Sequence, residues 1–309
     1  MNPNLSDKHN KEFLFSVANN QQPSNISTNN INSVCLPKEK TSKPIFSAIF
    51  LIIIISCCLG AEFVANHDPS IFYVNNLNQS PNSEFYFGTD LLGRDIFSII
   101  WYGGRISLFI GLLGTIILTT IGLFYGCISG LAPKFIDNLL MHFAELLCSI
   151  PSILLLICLT SLLPSQNVFT LALFIGLVNW MPLARMVRNE VLQIKNTEYF
   201  WSAKLLGVSR FKLISKYLLP NFWATIIFMV ISSINTCILN EAVLSFLGLG
   251  LPVDIISWGS MLSLANRALL TNSWWVIFFP GIFIVITLLC ITNIIQHFKV
   301  KTTHKCSNL

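Results

Sequence analysis

The sequence predicts an all-α integral membrane protein with about six transmembrane helices and cytoplasmic N- and C-termini. Three observations carry that prediction. Only 11% of the 309 residues are charged, and the mean hydropathy is +0.67. A soluble domain carries about 25% charged residues, so this chain lacks the polar surface to cover a soluble globule. Apolar segments recur that approach or exceed the roughly 17–25 residues needed to cross a bilayer. Finally, the Lys and Arg residues cluster in alternate connections between those segments.

Residues 1–44 are rich in Asn, Ser, Lys and Pro and read as a disordered cytoplasmic tail. The first transmembrane helix is expected over 45–61, "IFSAIFLIIIISCCLGA". The region before it is too long for a signal peptide and no A-x-A-like site follows, so a retained helix is expected. Residues 62–103 form an extracytoplasmic loop in this reading. A core of five further helices then occupies 104–297, from apolar runs at 106–132, 139–163, 168–184, 222–251 and 274–295. Pro151 and Pro182 interrupt two of these runs, which membrane helices tolerate as kinks. Residues 298–309 are a cytoplasmic tail.

With the N-terminus inside, 16 of the 19 Lys and Arg residues fall in cytoplasmic pieces. The outer pieces hold only Arg94, Arg105 and Arg267. This bias sets the orientation. Arg185 and Arg188, at the inner end of the fourth segment, are expected to snorkel to the headgroups.

Several chemistries find no support. The nine cysteines show no CxxC pair, the histidines no metal-ligand spacing, and no GxxxxGK[ST] phosphate loop is present. Neither a Ser/His/Asp nor a Cys/His set appears. No metal, no directly bound cofactor, no nucleic acid and no catalytic residue is expected.

Three stretches stand out. The first is "EYFWSAKLLGVSRFKLISKYLLPN", from Glu198 to Asn221. Thr197 is a candidate N-cap and Gly207 a left-handed C-cap for a first short helix. Ser209 and Pro220 bound a second. Tyr199, Phe200, Ala203 and Leu206 are expected on one apolar face of the first helix, and Phe211, Ile214 and Leu218 on one face of the second. Periodicity alone leaves two readings open: an amphipathic pair on the inner leaflet, or a docking surface for a cytoplasmic partner.

The second stretch is "FGTDLLGRD" in the outer loop. Gly88, Thr89, Asp90, Gly93, Arg94 and Asp95 suggest a tight, internally bonded turn that caps the bundle. The third is Glu241, an acid inside an apolar run. It sits about 30 Å along from Phe222, near the outer interface. A structural hydrogen bond or a gate contact is favoured there over a proton relay. Gly122, Gly126 and Gly130 add a small-xxx-small row that lets membrane helices approach closely.

Together these stretches resemble ABC-importer permeases of the peptide/nickel family, C-type subunit. The Glu198–Asn221 stretch is similar to their EAA loop, with Trp201, Ser202 and Ala203 at the E-A-A positions, Gly207 as the glycine, and the L-P-N ending at Leu219, Pro220 and Asn221. Trp201 stands where the pattern has Glu. "YGGRISL", "EAVLSFLGLG", "SWGSML" and "WWVIFFPG" follow in the family's order, and "NWMPLARMVR" looks most like the oligopeptide C-type subunits. The chain's end lacks the G-D-x-L-R-D-like tail that relatives often carry.

The resemblance implies a type I ABC importer permease fold in the bacterial inner membrane. It implies a homologous B-type permease partner, two ABC ATPase subunits that use the ATP, and an extracytoplasmic peptide-binding protein. Segment 195–221 would be the coupling loop to an ATPase. Nickel or antimicrobial-peptide transport remains an alternative. So does an ion-coupled secondary transporter, although no central acid and no repeat of the two halves is present.

Overall fold

The computed structural model describes residues 44–163, 166–206, 219–252 and 254–306. The expected tail over 1–44 lies outside these residues, apart from Pro44. All regular structure described is helical, with one isolated antiparallel bridge between Thr89 and Asp95.

In chain order the helices are α1 (Ile45–Leu59), α2 (Ala61–Val64), α3 (Ile96–Leu131), α4 (Lys134–Ser149), α5 (Ser152–Ser161), α6 (Val168–Asn179) and α7 (Met181–Lys195). Then come α8 (Glu198–Leu205), α9 (Leu219–Phe246), α10 (Trp258–Ser263), α11 (Ala265–Leu270) and α12 (Trp275–Cys306).

α3 is the mast of the bundle. Its 36 residues rise about 54 Å, well beyond the roughly 30 Å hydrocarbon core. It packs against α1, α6, α7 and α9. It begins at Ile96, inside the segment expected to be loop to residue 103. The reason is local: Asp95 caps it, accepting from the Ser98 N–H, and the apolar residues from Ile96 to Trp101 continue the helix into the charged Arg105 turn.

The bundle closes through very short contacts. A Cβ added at Gly126 would lie 2.5 Å from the Ala184 carbonyl oxygen and 2.8 Å from Val187 Cβ. The Gly122–Gly126–Gly130 row therefore faces α7, and α3 and α7 meet nearly backbone to backbone. Leu118, Leu171, Ile175, Leu183, Ala184 and Val191 fill the core around this seam.

Two prolines act differently from the simple kinks expected. Pro151 separates α4 from α5, and the two helices diverge by 81°. Pro182 does not bend a helix from within. It occupies the first turn of α7, where its missing N–H costs nothing. The 45° bend between α6 and α7 falls at Trp180, just before it.

Among the described residues, three helices are long and apolar enough to cross a membrane, and up to five spans result if each bent pair counts once. The expected sixth, α1, has 15 residues and rises about 22 Å. α9 stops at Phe246 rather than running to 251. There Gly248 adopts a positive φ of 76°, and the Leu249 and Gly248 N–H groups bond back to Leu244 and Ser245 carbonyls in a Schellman closure. α12 runs on to Cys306, through most of the expected tail, because "QHFKVKTTHK" contains no Gly or Pro to end it.

Candidate functional site: two ends of one bundle

One end of the bundle carries the glycine-framed turn. Gly88 and Gly93 hold φ values of 77° and 76°, the left-handed region that side chains disfavour. At Gly88 a Cβ would also strike the Gln79 carbonyl at 2.5 Å. The Asp90 carboxylate accepts from the Leu92 and Arg94 N–H groups, each at 2.8 Å, and backbone bonds from the Asp90 N–H to the Arg94 carbonyl and from the Gly93 N–H to the Asp90 carbonyl complete the loop. Burial pushes the Asp90 carboxyl above the usual carboxylate range, against the downward pull of those N–H bonds and of the Arg94 charge. Arg94 lies 4.7 Å over the Phe72 ring. Asp95 accepts from the Ser98 hydroxyl at 2.6 Å and faces His67 Nδ1 at 3.4 Å.

This turn is fastened to the start of α12. Trp275 Nε1 donates to the Thr89 carbonyl at 3.1 Å, and Phe87 stacks on Phe279 at 4.0 Å. All six residues expected to cap the bundle therefore lie in one turn, tied to a helix almost 190 residues away in sequence.

Below it sits Glu241, with 0% exposure. Ser257 Oγ donates to it at 2.7 Å, and Ser107 Oγ and Ser245 Oγ each at 3.0 Å. Ser107 in turn accepts from the Trp258 N–H at 3.1 Å. One carboxylate thus ties α3, α9 and the N-terminus of α10. Its partners are serines on other turns and elements, Ser107, Ser245 and Ser257, which no single-segment pattern marks.

The other end carries the stretch from α7 into α8. Asp137 on α4 pairs with Arg188 on α7 through two bonds, Nη2 to Oδ2 at 2.6 Å and Nε to Oδ1 at 3.0 Å. The Ser129 hydroxyl donates to the same carboxylate. Arg188 is therefore an ion-pair partner and not a snorkelling cation. A bidentate pair with a nearly buried acid outcompetes headgroup contact. Asp137 received no role from sequence, because its partner is 51 residues on. Lys195, at the end of α7, reaches the Gly130 carbonyl at 3.3 Å.

α8 follows directly. The Thr197 hydroxyl, before its first turn, donates to the Ile194 carbonyl at 2.7 Å. Phe200 is 3% exposed and joins the core, whereas Leu205 and Leu206 are 85% and 83% exposed. The expected common face of Phe200 and Leu206 is thus split. Six positions put Phe200 and Leu206 about 240° apart around a helix, so one can be buried while the other is exposed. Glu198 and Ser202 are exposed, with Ser202 Oγ donating to the Glu198 carbonyl at 3.0 Å. Pro220 and Asn221 belong to the first turn of α9. Gly207, Ser209 and the second short helix lie outside the described residues, as do the side chains of Trp201 and Ala203. Among the described residues no cluster of metal-ligating side chains exists.

The fold and these ends define a class: an all-helical, multi-pass membrane protein in which the buried acids serve as fasteners between helices. The chain belongs to the family described as binding-protein-dependent transport system inner membrane component, whose sequence profile matches residues 120–303. It is accordingly a transport permease subunit and not an enzyme. It is similar to the oligopeptide transport system permease protein OppC of Bacillus subtilis, at 38% identity over 78% of each chain. It is 37% identical to the dipeptide transport system permease protein DppC of the same organism, over 78% of this chain and 74% of that one. The OppC protein of Haemophilus influenzae is 39% identical over 70% of each.

Proposed function

We propose that this chain is the C-type permease subunit of an ATP-driven peptide importer in a bacterial inner membrane. The observation that carries this reading is the similarity to oligopeptide and dipeptide permeases over most of the chain. In this reading the chain forms half of a translocation pore with a homologous B-type permease. Two ABC ATPase subunits bind and hydrolyse the ATP, and an extracytoplasmic binding protein delivers the peptide.

The Lys and Arg bias sets the sidedness, with both termini and α8 in the cytoplasm and the Gly88–Asp95 turn outside. α8 is then the coupling helix. Exposed Leu205 and Leu206 are the apolar anchors offered to an ATPase groove. The Asp137–Arg188 pair and the glycine seam pass its displacement to α3. At the outer end, the Glu241 fastener and the Thr89–Trp275 bond hold the mouth together while the helices tilt.

The test is reconstitution of the four-subunit complex with its binding protein in proteoliposomes. ATP-dependent uptake of a labelled tripeptide is expected, together with copurification of the ATPases on the tagged chain. Uptake by this chain alone under a proton gradient, without ATPases, would refute the reading.

A further inference from the structure

A cavity of about 520 Å³ opens beside the Gly88–Asp95 turn. That volume falls in the range of small-molecule pockets, roughly 300–1,000 Å³. Its wall combines Phe72, Arg94, Tyr102, Arg105 and Asp254 with Ile255. This is an unusual density of charge for a chain that is 11% charged. Two of the three basic residues expected outside by sequence, Arg94 and Arg105, line this one cavity.

Arg105 is held in place before any ligand arrives. Its Nε donates to the Cys58 carbonyl at 3.2 Å and its Nη2 to the Leu59 carbonyl at 2.7 Å. Its guanidinium carbon sits 5.5 Å from the Tyr102 ring centre. The carboxylate nearest it, Glu62, is 3.6 Å from Nη1 with a side chain 69% exposed. Such a pair is weak and readily exchanged. A guanidinium has five N–H donors in a planar fork, so the two backbone anchors fix its plane and leave donors for a carboxylate. Arg105 and Ile106 also line a second, almost wholly apolar cavity of about 620 Å³ that runs down between α1, α3, α9 and α12. The charged cavity is therefore the polar head of an apolar groove.

We propose that this cavity binds the charged ends of a peptide, its α-carboxylate on Arg105 and its α-ammonium on Asp254, with apolar side chains directed toward the adjoining groove. This rests on the peptide-importer reading. It adds to that reading a selection step in the membrane subunit itself. Glu62 is the resident carboxylate that the substrate displaces.

The experiment measures uptake by the reconstituted complex at saturating binding protein, with a free tripeptide, its C-terminal amide and its N-acetyl form. The expected result is that Arg105→Gln lowers the ratio of free to amidated uptake about fivefold, the scale of one half-exposed ion pair. Asp254→Asn, an exposed position, should lower the ratio of free to acetylated uptake by a similar factor. Glu62→Gln should leave uptake of the free peptide undiminished or raise it. Equal loss for all three peptides would overturn the inference and assign the cavity to docking of the binding protein. Unchanged ratios in both variants would overturn it while the importer reading stands. No ATP-dependent uptake of any peptide by the wild-type complex would overturn both.

Discussion

Replacing Gly126 with Ala isolates the glycine seam between α3 and α7. The new methyl would meet the Ala184 carbonyl oxygen at 2.5 Å, and that atom belongs to the backbone of α7. It cannot rotate away, so the helices must part. Overpacking of this kind costs about 1–3 kcal/mol, while exchanging Gly for Ala in a helix returns up to about 1 kcal/mol. The net expectation is a loss of about 1 kcal/mol, or roughly 1–2 °C in Tm for a chain of 309 residues. Gly281 supplies the internal control, because a Cβ there meets nothing within 4 Å. Gly281→Ala should therefore hold or raise the Tm. Thermal unfolding of the detergent-solubilised protein, followed by the accessibility of the buried Cys127 and Cys237 thiols, reads both variants in one assay. If Gly126→Ala melts at or above the Gly281→Ala variant, the seam is not tight and the reasoning from it fails.

Four further outcomes follow from the same geometry. Glu241→Ala strands three serine hydroxyls and should cost about 1–3 kcal/mol; Glu241→Gln keeps an acceptor and should recover part of this, so equal melting of the two variants would count against the knot. Asp137→Ala leaves Arg188 unpaired and should destabilise by about 1–3 kcal/mol, a figure reduced from the buried-pair range because Arg188 is 24% exposed; an Asp137→Arg, Arg188→Asp exchange that restores no stability would argue against the pair. Leu205→Asp with Leu206→Asp should insert normally yet abolish peptide-stimulated ATP hydrolysis in the reconstituted complex, and full retention would remove α8 from the coupling path. The raised Asp90 carboxyl binds its proton more tightly in the folded state, so its contribution to stability grows as pH falls from neutral toward 3.8 and is lost as pH rises through the folded value; Asp90→Asn should flatten this part of the Tm-against-pH curve, and an unaltered curve would exclude Asp90 as its source.

Sequence made the class legible because apolar run length and charge bias are local quantities. The turn at 88–95 was readable in part for the same reason: the two glycines and the Asp90 bonds to Leu92 and Arg94 lie within eight positions, whereas its ties to Gln79, His67 and Trp275 come from elsewhere. The Glu241 site was half readable. An acid inside an apolar run marks itself, but Ser107 and Ser257 come from other elements, and serine carries no signal of its own. Asp137 and Arg188 were opaque because an ion pair across two helices leaves no trace in either segment. The start of α3 was misplaced because Arg105 breaks the apolar run, and a hydropathy reading stops at a charge that the fold accommodates through the Cys58 and Leu59 carbonyls. Phe200 was placed on one face with Leu206 because both are apolar; the packing of α8 against α7 buries Phe200 and leaves Leu206 exposed.

The length of α3 has a mechanical meaning. A rod of about 54 Å that pivots at one end by about 5° sweeps its far end through about 5 Å. That is close to one helical turn of about 5.4 Å. The seam with α7 lies near one end of the rod, and Asp95 and Ser107 lie toward the other. With Gly126 as pivot, Ser107 lies about 28 Å along the rod and the same 5° moves it by about 2.5 Å, so the helices tied through Glu241 must travel with it for the mouth to stay fastened. Short strokes at one face become wide excursions at the other, with leverage set by the number of uninterrupted residues.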